Sequence, residues 1–176
     1  MEYTMINCIM ASSYGLGAAD LVIFVRSARR HWDGTILVVG DTIDKTTEKL
    51  FNDNYVVWDG GHPRPEPFGR GRFKNYLPHL PKYDRVFISD MRDVAFQDAP
   101  VLDDGLCVTE EAEPIRRENY NTEWVKRHGD DVFERIKDCT ILCGGTVWGD
   151  AQSLIGLCEL IGRTEGSDQG TINVAV

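Results

Sequence analysis

Apolar and β-branched side chains along this chain fall into a few short runs, separated by polar, glycine-rich or proline-rich stretches. Residues 3–11 contain Met5, Ile6, Cys8, Ile9 and Met10 and then meet Ser12, Ser13, Gly15 and Gly17, which predicts a buried strand entering a loop. Over residues 18–31, Leu21, Val22, Val25 and Ala28 recur at helical spacing. Arg26, Arg29 and Arg30 place positive charge at the end where a helix dipole favours it, and Asp33-Gly34 ends the segment. The run TILVVG at 35–40 predicts a strand covered on both faces, with Asp41 at its carboxyl end. A second cycle follows: a helix at 44–52, a short strand at 55–58, a Pro- and Gly-rich loop at 60–71, and a short helix at 73–80 interrupted by Pro78 and Pro81. Residues 83–89 (YDRVFIS) form a strong strand that finishes at Asp90. Residues 140–143 predict a strand ending at Gly144-Gly145, residues 151–161 a helix, and Ser167 opens a terminal segment. This alternation predicts one α/β domain over residues 1–176, a mostly parallel twisted sheet flanked by helices. In such sheets ligands gather at the carboxyl ends of the strands, here the loops after Ala11, Gly40, Ser89 and Cys143.

Size and composition agree with that class. A chain of 176 residues with 42% hydrophobic and 27% charged side chains supports a single folded core. The formal charge of −9 argues against a nucleic-acid partner or an anionic membrane surface, while leaving room for a local basic cluster that binds a small phosphate ligand. The cysteines, Cys8, Cys107, Cys139, Cys143 and Cys158, are odd in number and scattered through mostly apolar surroundings, as reduced core thiols are. No second Cys or His pair gives Cys139 and Cys143 zinc spacing. With no transmembrane segment and no leader-like N-terminus, the expectation is a soluble, cytoplasmic domain.

The strongest chemical signal is Asp90-Met91-Arg92-Asp93, directly after the YDRVFIS strand. Two carboxylates three residues apart in a turn converge on one hard divalent cation, which commonly also holds substrate phosphates. In the alternative reading, Asp90 caps a turn and Asp93 pairs with Arg92 or Arg85 on the surface. Gly15-x-Gly17 is a partial dinucleotide fingerprint whose third glycine is replaced by Asp20, and it is set aside.

The segment from Arg72, R-F-K-N-Y-L followed by YDRVFISDMRDVAFQDAP, resembles the nucleotide-binding core of glycosyltransferases with the GT-A fold. Two later segments extend the resemblance: ILCGGTVWG at 141–149, and SDQGTIN at 167–173, which is similar to the Asp-Gln motif of the glycogenin-like group. The resemblance implies a Rossmann-like GT-A domain in which Asp90 and Asp93 hold Mn²⁺ or Mg²⁺ against the diphosphate of a sugar nucleotide. It implies that Ala11, Ser12, Asp41, Arg72, Lys74, Asp90, Met91, Arg92, Gly144 and Gly145 bind the nucleotide sugar, and that Asp168 and Gln169 act catalytically on sugar and acceptor. Ser167 or Asp168 as a helix N-cap competes with that role. Many such enzymes draw a third metal ligand, often His, from a late segment, whereas the last histidine here is His128. Either the metal keeps more waters or the chain is cut from a longer protein.

The implied function is transfer of a sugar from a nucleotide diphosphate donor, with uridine the expected nucleoside, to a glycan or other hydroxyl acceptor. The alternatives are a non-catalytic module that binds sugar nucleotides or glycans, and a phosphoryl-transfer enzyme of the haloacid-dehalogenase type. The latter type carries its acidic motif at the first strand, which here ends in Ala11.

Overall fold

Local sequence forces explain most of the elements in the computed structural model, which describes residues 5–176. Strand β1 (Asn7–Ser13) alternates faces, sending Cys8 and Met10 to one side of the sheet and Ile9 and Ala11 to the other, all fully buried. It starts later and ends later than the hydrophobic pattern predicted. Tyr3 and Thr4 lie outside the described residues, and Met5 and Ile6 precede the strand and are exposed. Helix α1 (Ala18–His31) buries Leu21, Phe24, Val25 and Ala28. Its last-turn Arg29 donates to the carbonyls of Trp32 and Gly34 at 2.8 and 3.0 Å and to those of Asn54 and Tyr55 at 2.9 and 3.1 Å, tying two turns together. Strand β2 (Thr35–Gly40), helix α2 (Lys45–Asp53) capped by Asp44, and strand β3 (Val56–Asp59) complete the first half.

Helix α3 (Phe68–Tyr76) begins five residues before the expected helix at 73–80, so the Pro/Gly loop is shorter than 60–71. A 3₁₀ turn (Leu80–Lys82) leads into β4 (Arg85–Ser89). The region between 100 and 139, which carried no expectation, forms β5 (Leu106–Pro114), α4 (Asn119–Lys126) and α5 (Asp130–Ile136). Strand β6 (Thr140–Asp150) continues past Gly144 and Gly145, which lie in a bulge where the register with β5 jumps from Val108–Val147 to Thr109–Cys143, so this pair does not end a strand. Helices α6 (Ala151–Arg163) and α7 (Asp168–Ala175) follow, the latter capped by Ser167, whose hydroxyl accepts from Gly170 N at 2.9 Å.

The six strands form one mixed sheet in the order β3-β2-β1-β4-β6-β5. The first four are parallel, and β6 is antiparallel to both β4 and β5. Helices α1 and α2 cover one face, over Ile9, Ile36 and Val38, while α3, α6 and α7 cover the other, over Met10, Val39 and Ile88. This is a mostly parallel, Rossmann-like α/β architecture. Among the described residues no helix is long and apolar enough to cross a membrane.

Candidate functional site

A cleft of about 450 Å³ opens at the carboxyl ends of β1 and β4, lined by Ser12, Tyr14, Gly15, Leu16, Arg64, Phe68 and Arg72 together with Asp90, Met91, Arg92 and Asp93. The position follows from the topology, because β1 and β4 are adjacent parallel strands and their loops must diverge above the sheet edge. Of the residues expected to bind the nucleotide sugar and metal, Ser12, Arg72, Asp90, Met91, Arg92 and Asp93 meet here.

Arg72 organises the inner wall. Its side chain, 9% exposed, donates from Nη1 to Asp90 Oδ1 and from Nη2 to Asp168 Oδ2 at 3.0 Å and Gly144 O at 3.1 Å. The guanidinium also lies 5.2 Å from the Phe73 ring centroid. Burial alone would depress its pKa, but the carboxylates of Asp90 and Asp168 more than offset this and hold it raised. Three elements distant in sequence, α3, the β4 turn and α7, are thus locked through one side chain.

Two glycines make the lock possible. A Cβ on Gly145 would stand 2.7 Å from Asp90 Oδ2, and one on Gly69 would stand 2.6 Å from Asp168 Oδ1, so both carboxylates pack directly against bare backbone. Gly145 O also accepts from Asp90 N at 2.8 Å, fixing the acidic turn to β6.

Asp90 is held at one oxygen by Arg72, and its side chain remains 38% exposed. Burial pushes its carboxyl above the usual carboxylate range, Arg72 pulls it down, and the neighbouring Asp93 and Asp168 push it up again. Asp93 is exposed and makes no ion pair with Arg92 or Arg85, since Arg85 is taken by Asp104 at 2.6 Å. The surface-pair alternative for Asp93 is therefore not what the fold adopts. Asp93 is the carboxylate of this group with no ion pair among the described residues, and its charge adds to the repulsion on Asp90. Among the described residues no group of three His, Cys, Asp or Glu side chains is placed to hold a metal ion. Asp90 and Asp93 supply two hard oxygen donors, which suits a divalent ion that keeps waters and substrate phosphates as its other ligands.

Several expected site residues take other places. Ala11 is fully buried in the sheet on the α1 side, because side chains alternate along β1 and only Ser12 turns to the cleft. Lys74 is exposed two positions beyond Arg72, on another face of α3, and lies against Gly162 of α6. Asp41 follows β2, accepts from Gly15 N at 3.3 Å and lines a separate shallow cavity with Trp58 and Gly61. Gly144 and Gly145 act from mid-strand. Asp168 stands behind Arg72 with its side chain 14% exposed, and its Oδ1 accepts from Gln169 N at 3.0 Å. Because Ser167 is the cap, the competing N-cap role for Asp168 falls away.

Gln169 braces this wall. Its Oε1 accepts from Gly144 N at 3.2 Å, and its Nε2 donates to Glu111 Oε1 and Asn121 Oδ1 at 3.0 Å each. Glu111, Asn121, Gly69, Tyr14, Phe68 and Arg64 were not expected at the site. Only Tyr14, just past the first strand, and the Pro/Gly loop preceding Phe68 carried a signal able to find them. Tyr14 packs edge-on to Phe68 at 5.6 Å and accepts at its hydroxyl from Asn75 Nδ2 at 2.5 Å.

No model of a known protein family matches the chain, and no curated protein matches it significantly.

Proposed function

We propose that this chain is a glycosyltransferase domain of GT-A type that takes a sugar from a nucleoside diphosphate sugar, with uridine the expected nucleoside, and passes it to the hydroxyl of a glycan or other acceptor. One observation carries the reading. A cleft at the carboxyl ends of two adjacent parallel strands joins an acidic turn with available carboxylate oxygens to uncommitted guanidiniums and an aromatic face.

In this reading Asp90 and Asp93 hold Mn²⁺ or Mg²⁺, which when bound supplies positive charge against the diphosphate oxygens. Arg72 opposes the effect of burial on the Asp90 carboxyl and aims it, and Asp168 and the Gly144 carbonyl fix Arg72 in turn. Asp168 is thus a positioning residue whose charge acts through Arg72. Leu16 offers apolar surface to the base, and Ser12 offers a hydroxyl to the ribose. In the transfer, the acceptor oxygen bonds to the anomeric carbon and gives up its proton. The bond from that carbon to the diphosphate oxygen breaks, its electrons leaving on the nucleotide. The five free thiols support a reducing compartment such as the cytoplasm.

A thermal-shift panel of nucleotide sugars with and without Mn²⁺ tests the reading, since a ligand that binds only the native state raises its stability. Metal-dependent stabilisation by a UDP-sugar, followed by nucleotide release when acceptors are added, is the expected result. Stabilisation without release under any acceptor indicates a binding module, and absence of stabilisation by every nucleotide sugar removes the proposal.

A further inference from the structure

We infer that Arg64 and Arg92 form a two-guanidinium clamp that binds the phosphates of the cleft's ligand directly, a nucleoside diphosphate on the reading proposed above. The chain carries −9 overall, yet the uncommitted charge lining this cleft is positive. Arg72 is balanced by Asp90 and Asp168, which leaves Asp93 facing Arg64 and Arg92. Both arginines are exposed, and neither forms an ion pair with a described residue. Two like charges lining one small cavity repel until an anion joins them.

Arg64 is also placed for the task. Its guanidinium lies over the Phe68 ring, 5.1 Å from the centroid. The ring steadies the cation without taking up its N–H groups, which donate to no described residue and match phosphate oxygens in pairs. The loop holding Arg64 is fastened on both sides. His62 N donates to Gly40 O at 3.0 Å and His62 Nε2 meets Asp59 Oδ2 at 2.9 Å, while Pro65 packs against Gly71 with no room there for a side chain. Arg92 falls between Asp90 and Asp93 in sequence and lines the cleft with both, so a phosphate bound by it is held beside the acidic turn. A bare acidic turn would repel a diphosphate until a metal arrived, and an interposed arginine reduces that repulsion.

Calorimetric titration of inorganic pyrophosphate and of UDP, in EDTA and in Mn²⁺, tests the clamp on the wild-type chain, Arg64→Ala, Arg92→Ala and the double variant. The wild type is expected to retain weak binding of both ligands in EDTA. Each single substitution lowers that metal-free affinity by about tenfold, as expected for loss of a charge-assisted hydrogen bond, and the double variant abolishes it. Unliganded melting temperatures stay at the wild-type value, because both side chains are exposed. Variants that bind pyrophosphate and UDP as tightly as a wild type whose binding is measurable overturn the clamp and leave the proposed function standing. A wild type that binds neither ligand in either buffer overturns both.

Discussion

Arg72 on α3 and Asp168 at the first turn of α7, 96 residues apart, are joined by a 3.0 Å ion pair in the inner wall of the cleft. The pair makes the position of Asp90, on the other side of the same guanidinium, depend on a residue from the far end of the chain. Asp168→Asn keeps the shape and removes the charge. It is expected to lower stability by about 1–3 kcal/mol and, because it acts through Arg72 on Asp90, to weaken Mn²⁺-dependent UDP binding and turnover together while leaving metal-free UDP affinity nearly unchanged. Denaturant midpoints together with steady-state kinetics check this. Ser167→Ala is the comparison: loss of the cap should lower stability by about 1 kcal/mol and leave turnover per folded molecule intact.

Arg72 itself is more demanding. Arg72→Met removes the one cation between Asp90 and Asp168 in a largely buried wall and should destabilise the fold by about 3 kcal/mol. Arg72→Lys restores a charge without the fork that reaches both carboxylates and Gly144 O, so it should recover only part of that loss. Equal stability of the Lys variant and the wild type in urea denaturation would show that the fork is unnecessary.

Gly145→Ala places a methyl group where Asp90 Oδ2 now packs. Either the acidic turn shifts or β6 does, at about 1–3 kcal/mol. The expected signature is weaker Mn²⁺-dependent UDP binding, larger than any change in metal-free binding. Calorimetry in the two buffers separates them.

The β-α-β start of the fold was legible because TILVVG is a short β-branched run between turn signals, the pattern of a strand buried on both faces, and the acidic turn was legible because Asp90 directly follows the apolar run of the YDRVFIS strand. The course of β6 was not. Gly144-Gly145 carries the local signature of a turn, yet in the fold the missing side chains let Gln169 and Asp90 approach the strand. Strand β5 was hidden for another reason: its EEAEP end is solvated and shows no alternation of apolar and polar residues. The Arg72 cluster was half legible. Each member stood out by its motif, but a single sequence holds no sign that a helix arginine pairs with carboxylates 18 and 96 positions away. Lys74 was misplaced by the same limit, since closeness to Arg72 in sequence puts it on another side of the helix.

The Asp59 cluster makes stability depend on pH. Asp59 Oδ2 meets both His62 Nε2 and His79 Nε2 at 2.9 Å, and Lys82 Nζ lies 3.5 Å from His79 Nδ1. Burial pushes the His79 imidazole below its ordinary pKa, more than Asp59 raises it, and burial lowers His128 as well. The unfolded chain therefore takes up protons first as pH falls, so this stability is fully present above an ordinary histidine pKa of about 6.5 and declines below it. The hydrogen bond from His62 holds the Asp59 carboxyl below the usual range, so its contribution persists until far more acidic pH. Melting temperature should drop between about pH 7.5 and about pH 5.5, and His79→Gln should reduce the drop without removing the part due to His128. An unchanged slope in His79→Gln would exclude His79 as a source.

In the proposed function, the acidic turn and its cleft bind a nucleoside diphosphate with the help of a divalent cation. Calorimetric titration of UDP into the wild type and Asp93→Ala, each in Mn²⁺ and in EDTA, tests it most directly. Mn²⁺ is expected to tighten UDP binding to the wild type by about tenfold or more, and Asp93→Ala to lose this enhancement, because one of two hard donors is gone. Equal UDP affinity in Mn²⁺ and EDTA for the wild type, or full enhancement in Asp93→Ala, would contradict it.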